Sequence, residues 1–500
     1  MPPTNDQFEN SYELGPTSPS RNGFDVADIF TVSHLDCESS SDVKSFNPSK
    51  YSKRHSVREA VIPVQLHTGN DDHEHDAHFD TRLDSIGSGS SSISAAAANG
   101  QTDFPDGGLR AWLVVLGTAF STLASFGYIN SWGVFQSYYE QTLLKDHSPS
   151  SIAWIGSLQI CLVFLPALFS GRLFDLGIFK FPFMVASAVL VVSTFLVAQC
   201  TQYWQFVLCQ GLATGLGVGM IFGPSLSILG HWFKQKRGIA MGLTTFGSSV
   251  GGTFFPIATR RLIPVIGFPW TMRILAFILL FALCIPCLTL ARRLPPKAAS
   301  GGLFNFRLFT DSPPFSIYSG ATVCMFLGLF TVLTYIDISA VTYGVSSEHS
   351  FYLVAIANAS SAVGRLVTGF VVDKSGAINF IAPTTFLTGI ITFVWPFTKS
   401  VSSLTAIAVL YGFLSGTIVS GFLIPAFLLG EVEDIGRRTG MIMTMGAIGG
   451  LFGTPISGAI NRVTGGFVHV GYFAGSMIIL SGTLMLVTRH FVLRKLWGKF

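Results

Sequence analysis

From Trp112 onward the chain alternates apolar stretches of about 20 residues with short polar loops. Each stretch is long enough to cross ~30 Å of hydrocarbon as a helix. Backbone polar groups in lipid must be satisfied within the segment, which selects helix for isolated apolar runs. The pattern predicts twelve spans, near 112–137, 151–171, 181–200, 205–229, 238–259, 270–290, 315–338, 351–371, 379–398, 402–428, 439–460 and 467–488. Residues 1–104 show no such pattern; they are polar and rich in Ser, Asp, Asn and Gly, with no apolar core of a signal peptide before Phe104. That segment cannot bury enough apolar area to offset its ordering entropy, so it reads as a disordered tail.

The loops carry the next signal. With the N-terminus in the cytosol, sixteen Lys and Arg fall in inner loops and the C-terminal tail and five in outer loops. The positive-inside bias therefore places both termini in the cytosol, which requires an even number of spans. The expected membrane is the plasma membrane, with the vacuolar membrane as the alternative.

The halves repeat. Gly171 and Asp175 after span 2 recur as Gly369 and Asp373 after span 8, an offset of 198 residues. Gly251-Gly252 recurs as Gly449-Gly450 at 198, Pro256 as Pro455 at 199, and Arg237 has a counterpart in Arg438 at 201. A duplicated six-helix unit follows, an architecture in which secondary transporters place substrate between the halves. The expected organisation is an all-α membrane protein: a cytosolic tail (1–104), two pseudo-symmetric six-helix bundles (105–293 and 315–490), a cytosolic linker (294–314) and a short cytosolic tail (491–500).

Composition narrows the partners. Charged residues make up 12% of the chain, about half the usual ~25% of soluble domains. A net charge of +4 and no basic face with interleaved aromatics argue against nucleic acid. The seven cysteines are odd in number and mostly lie in apolar runs, so a disulfide framework is not expected. Cys284 and Cys287 form a C-x-x-C inside an apolar run, which reads as packing, because a redox site needs an accessible thiolate. The His- and Asp-rich stretch 71–78 fixes no coordination geometry and reads as a solvated charge run. No nucleotide loop, metal cluster or nucleophile–base pair occurs in the spans, so neither a cofactor nor an enzymatic activity is expected. Gly215-Leu-Gly217-Val-Gly219 follows no strand, and with Gly211 it reads as a close-packing helix face.

Several motifs carry a family resemblance. Loop 2–3, Gly171-Arg172-Leu173-Phe174-Asp175-Leu176-Gly177, and loop 8–9, Gly369 through Asp373-Lys374-Ser375-Gly376, resemble the loop signature of the major facilitator superfamily. The first copy is degraded, since Leu176 stands where a basic residue is usual. Asp106-Gly107-Gly108-Leu109-Arg110-Ala111-Trp112 resembles the span 1 entry of the monocarboxylate porter family, and His231-Trp232-Phe233-Lys234-Gln235-Lys236-Arg237 its span 5 entry. Residues 132–139 are similar to fungal branches of that family. The resemblance covers residues 104–490 and implies the major facilitator fold. In the loops, glycines would allow close helix approach, and the carboxylates would cap helix N-termini or pair with cations at the inner gate. Glu431, Glu433 and Asp434 are expected to face Arg437 and Arg438 there.

A mid-span arginine costs at least ~2.5–3.5 kcal/mol, so it tends to persist for function or a strong pair. Arg365 lies mid-span 8, and Asn358, Ser361 and Arg365 share one helical face. In monocarboxylate porters the matching arginine binds the substrate carboxylate, so the resemblance implies that role for Arg365. The family's proton-coupling aspartate falls on Ser361, and its span 1 lysine on Asn130; neither is ionisable in the required way. Span 5 also lacks the proline-after-glycine pattern of antiporters. The structural alternative is Arg365 bonded to helix carbonyls. Asp337 lies near the outer end of span 7, too far for direct pairing. The expectation is a transporter of a small organic anion or carboxylate-bearing metabolite, with Arg365 as anion contact and Tyr128, Asn130, Asn358 and Ser361 as neutral contacts. The fungal motifs make export of a secondary metabolite one expectation and uptake of a monocarboxylate or vitamin-like solute the alternative; direction is not legible in the sequence. A transporter-like nutrient receptor signalling through the tail is the reading from another class. The lipid bilayer is the expected surrounding, and an accessory subunit stays open.

Overall fold

The computed structural model describes residues 106–294, 302–495 and 498–499. The expected disordered tail, with its His- and Asp-rich stretch, lies outside the described residues. Among the described residues twelve long helices cross the fold: α1 (Leu109–Leu143), α2 (Ser151–Asp175), α3 (Lys180–Val197), α4 (Tyr203–Trp232), α5 (237–266), α6 (268–289), α7 (Pro313–Thr342), α8 (Ser347–Ser375), α9 (Ala377–Phe397), α10 (Val401–Leu428), α11 (Ile435–Thr464) and α12 (Val468–Leu493). The α5–α6 pair runs without a hydrogen-bonding gap over Arg237–Thr289, 53 residues. That length is about 80 Å of helix, more than twice a bilayer core. The run is divided at Gly267, whose φ of 77° and ψ of 163° are open only to glycine, so it supplies two spans rather than one. A short linker helix, Phe306–Asp311, joins the halves.

The halves fold alike. In the first, α1 packs on α5, α2 on α4 and α3 on α6; in the second, α7 packs on α11, α8 on α10 and α9 on α12. Helix starts repeat as well. Ser148 caps α2 by accepting from the Ser151 N–H, and Ser346 caps α8 by accepting from the His349 N–H. Gln202 and Ser400 head capping boxes at the starts of α4 and α10. Both pairs keep the 198-residue offset read from the loops. A cap satisfies amides that have no partner inside the helix, so it marks where each of these spans begins.

Outward surfaces are apolar. Phe281 is 68% exposed and Leu288 78% exposed, as expected where lipid replaces water as the solvent. Close helix approach rests on small residues: a methyl on Gly219 of α4 would sit 2.2 Å from the Leu162 carbonyl oxygen of α2. Two seams join the halves, α5 against α8 and α2 against α11.

Candidate functional site

The α5–α8 seam buries a polar cluster in otherwise apolar helices. Arg365 is 8% exposed. Its Nε donates to Ser361 Oγ at 3.2 Å, one turn earlier on α8. Its Nη1 donates across the seam to the Thr245 carbonyl oxygen at 2.7 Å and to the Ser248 hydroxyl. Ser249 donates to Ser361 at 3.4 Å, and Thr245 donates to Ser420 of α10 at 3.1 Å. Among the described residues no carboxylate lies in ion-pair range of Arg365. Thus the charge is held by neutral oxygens of both halves, as the structural alternative foresaw for the carbonyl, and stays uncompensated.

Toward the opposite end, Asn130 of α1 and Asn358 of α8 converge over Gly252 of α5. A methyl on Gly252 would lie 2.9 Å from Asn130 Nδ2 and 3.4 Å from Asn358 Oδ1. Asn358 donates to the Gly252 carbonyl at 3.4 Å, while Asn130 is exposed and donates to Phe126 at 2.9 Å. A π-helical turn, Leu123–Gly127, is followed by Tyr128-Ile129 and then by Asn130 at a turn. The structure therefore brings Asn130, Asn358, Ser361 and Arg365 to one seam. Tyr128 is placed elsewhere: it is 1% exposed and packs edge-on against Phe135 and Phe255, 6.1 and 5.9 Å between ring centroids.

The basic end holds the two loop carboxylates. Asp175 accepts from the backbone N–H groups of Gly436 at 2.9 Å and Arg437 at 2.7 Å, at the start of α11. Asp373 accepts from Gly238 at 2.6 Å and Ile239 at 3.0 Å, at the start of α5. Each carboxylate thus caps a helix of the other half, where the helix dipole favours negative charge. Glycines permit the approach. A methyl on Gly171 would fall 2.1 Å from the Gly436 carbonyl oxygen, and one on Gly369 3.0 Å from that of Gly238. Outside the spans, Arg292 donates to the carbonyls of Phe174 and Asp175, both at 2.7 Å. Burial pulls the Arg292 guanidinium below its ordinary pKa, and the Asp175 charge opposes that shift.

The arginines nearby fold back on their own loops. Arg237 Nε donates to the Phe233 carbonyl at 2.6 Å, and its Nη2 reaches that of Gly230 at 3.5 Å. Arg438 does the same four and seven residues back, to the carbonyls of Asp434 and Glu431. The expected charge cluster is corrected in one respect. Glu431 offers Arg438 its backbone oxygen, and its side chain is exposed, whereas Asp434 forms the ion pair with Arg437 at 2.7 Å.

Sequence reasoning missed two things. Thr245, Ser248 and Ser249 form a polar face of α5, legible as hydroxyls at i, i+3 and i+4 in an apolar helix. The other omission is Asp106. One of its carboxylate oxygens accepts from the N–H groups of Lys234, Gln235 and Lys236, at 2.6, 2.7 and 3.2 Å. Trp112 packs on Phe233 with ring centroids 5.4 Å apart. The two motifs, distant in sequence, are thereby joined beside Asp373, which caps the amides of Gly238 and Ile239 just beyond Arg237.

A duplicated twelve-helix bundle, with its halves capping each other at one end and a buried cation at their seam, defines a membrane transporter. The sequence model of the Major Facilitator Superfamily matches residues 121–433, and the chain belongs to that superfamily. It is 38% identical over 388 residues to the Aspyridones efflux protein apdF of Emericella nidulans, covering 76% of this chain and 78% of the relative. It is 38% identical over 394 residues to MFS transporter asaE of Aspergillus flavus, covering 78% and 88%, and 37% identical over 403 residues to an MFS-type transporter of Gibberella moniliformis, covering 80% and 95%. Among solved structures it resembles the human organic anion transporter MFSD10, with a TM-score of 0.59 at 17% identity over 75% of this chain and 98% of that one. It also resembles the Escherichia coli fucose:proton symporter FucP in its outward conformation, with a TM-score of 0.61 at 12% identity, covering 75% and 98%. These two likenesses concern the fold.

Proposed function

We propose that this transporter exports a small organic anion or carboxylate-bearing secondary metabolite by alternating access between its halves. The observation that carries the reading is Arg365, a buried cation on the seam with no carboxylate partner among the described residues. A guanidinium stays charged at physiological pH and presents a planar fork suited to carboxylate. Its present partners, the Thr245 carbonyl and the Ser248 hydroxyl, belong to the other half. An anion that took their place would neutralise the charge and release one tie across the seam, binding one access state better than the other. Asn130, Asn358 and Ser361 lie on the same seam and supply neutral contacts. The efflux relative supports the direction, while the monocarboxylate-porter branch rests on the entry motifs of α1 and α5 alone.

The gate reading assigns Gly171, Asp175, Gly369 and Asp373 to closure of the basic end, with Arg237 and Arg438 bracing the loops. The loop-charge bias supports a cytosolic placement of that end and of both termini, in the plasma membrane. The gate would open when α11 and α5 withdraw their N-termini from the two carboxylates.

Metabolite profiling of cells and medium, with and without the protein, tests the reading. A carboxylate-bearing compound should shift from cell to medium with wild-type protein and remain inside with Arg365→Ala. A transported compound that carries no acidic group would overturn the anion assignment, and accumulation inside the cell would reverse the direction.

A further inference from the structure

We infer that the ends of α5 and α8 away from the gate form a second anion site, for a small carboxylate with a flat apolar body. A cavity of about 340 Å³ opens between Ile257, Arg260, Arg261, Pro264 and Val265 of α5 and Glu348, Phe351 and Tyr352 of α8. It lies about 18 Å along α5 from Ser248, at ~1.5 Å per residue, so it is separate from the Arg365 cluster. Arg260 stacks on the Phe351 ring, its guanidinium carbon 4.1 Å from the centroid. Stacking uses the face of a guanidinium and leaves its in-plane N–H donors for a carboxylate. Arg261 donates through Nη2 to the Tyr352 hydroxyl at 2.9 Å, which holds the second fork in place. Neither arginine has a carboxylate in ion-pair range among the described residues.

Charge decides the sign of the ligand. Glu348 lines the same cavity but sits in the first turn of α8, where the helix N-terminus already favours its charge. Two guanidiniums against one carboxylate leave one positive charge to be matched. Ile257, Pro264 and Val265 give an apolar wall for the rest of the ligand. The volume is at the low end for small-molecule sites, about 300–1,000 Å³, and admits a simple aromatic acid. Because each half supplies one wall, the cavity must change shape when the halves rock, so a ligand here would favour the state with the gate closed. None of this depends on the role proposed for Arg365.

The test uses purified full-length protein and benzoate, with neutral benzamide as control. In an Arg365→Ala background, which removes the central cation, one equivalent of benzoate should still bind and benzamide should not. Adding Arg260→Gln and Arg261→Gln should weaken benzoate binding at least tenfold in a protein that still elutes as a single species. Adding Tyr352→Phe alone, which keeps both charges, should weaken it less. Undiminished binding in the double arginine variant overturns the site, as does absence of benzoate binding in Arg365→Ala alone. Loss of metabolite export in Arg365→Ala, or its persistence, bears on the central site and leaves this measurement unaffected.

Discussion

The two seams between the halves start alike and then part. At the basic end, Asp175 caps α11 through Gly436 and Arg437, and Asp373 caps α5 through Gly238 and Ile239, each partner related to its mate by 198 residues. One turn deeper, Gly440 packs on Ala167 as Gly242 packs on the backbone of Arg365. There the likeness ends. The same offset turns Asn358, Ser361 and Arg365 of α8 into Ile160, Val163 and Ala167 of α2, and Ser248 and Ser249 of α5 into Gly446 and Ala447 of α11. Gly252 meets Asn130 and Asn358, while its mate Gly450 meets nothing within 4 Å. Duplication supplied the capping contacts twice; divergence placed polar chemistry on one seam. The capping contacts use backbone amides, which survive changes of side chain, whereas a charge buried among apolar helices is costly.

The largest test of this asymmetry is Arg365→Ala. Transport in proteoliposomes should fall by at least tenfold, about 1.4 kcal/mol in the coupling of ligand to the seam. Membrane insertion should be unchanged, since removing a mid-span charge relieves ~2.5–3.5 kcal/mol on the insertion scale. Arg365→Lys should recover little, because an ammonium lacks the fork. Wild-type transport by Arg365→Ala would make the seams equivalent in function. It would also leave the arginine a purely structural tie to α5.

A medium effect should separate the gates by fit. Gly171→Ala brings a methyl to 2.1 Å from a backbone oxygen across the seam, which helices must part to accommodate. Gly369→Ala meets its nearest atom at 3.0 Å, a smaller misfit. Accessibility of a cysteine placed at the basic end to a membrane-impermeant thiol reagent should therefore rise more for Gly171→Ala than for Gly369→Ala. Equal labelling of the two would show that the gates yield independently of these contacts.

The smallest effects are expected from the caps themselves. Asp175→Asn and Asp373→Asn keep the shape but lose the charge facing a helix N-terminus, worth about 0.3–1 kcal/mol and up to ~2 where partly buried. Asp175 is 1% exposed and Asp373 is only partly buried, so Asp175→Asn should cost more. Midpoints of thermal unfolding in detergent would check the order; a larger loss for Asp373→Asn would put the greater strength in the α5 cap.

Much of this was legible in the sequence, for reasons that differ by element. Span length and apolar runs specify helices because lipid leaves the backbone no other partner, and the helices follow the predicted stretches. The 198-residue offset came from glycines and aspartates whose roles are backbone-level, so they persisted through divergence. Arg365 stood out because charge in a span is rare. The site around it was less legible. Tyr128, two residues before Asn130, faces aromatic rings of its own half, because side chains two positions apart on a helix do not share a face. Glu431 looked like a cation's partner, but Arg438 reached its carbonyl instead.

The sequence by itself determined that this chain is a duplicated twelve-helix membrane protein of transporter type, with a cation in the eighth span. Those properties follow from composition and spacing, which act locally. The tertiary structure decided which oxygens of the other half hold that cation, that Asp106 and Asp373 cap amides on either side of Arg237, and that Arg260 and Arg261 share a cavity with α8. Each of these joins residues more than 85 positions apart along the chain. Their juxtaposition depends on how two helix bundles meet, and side-chain order along one helix carries no record of that.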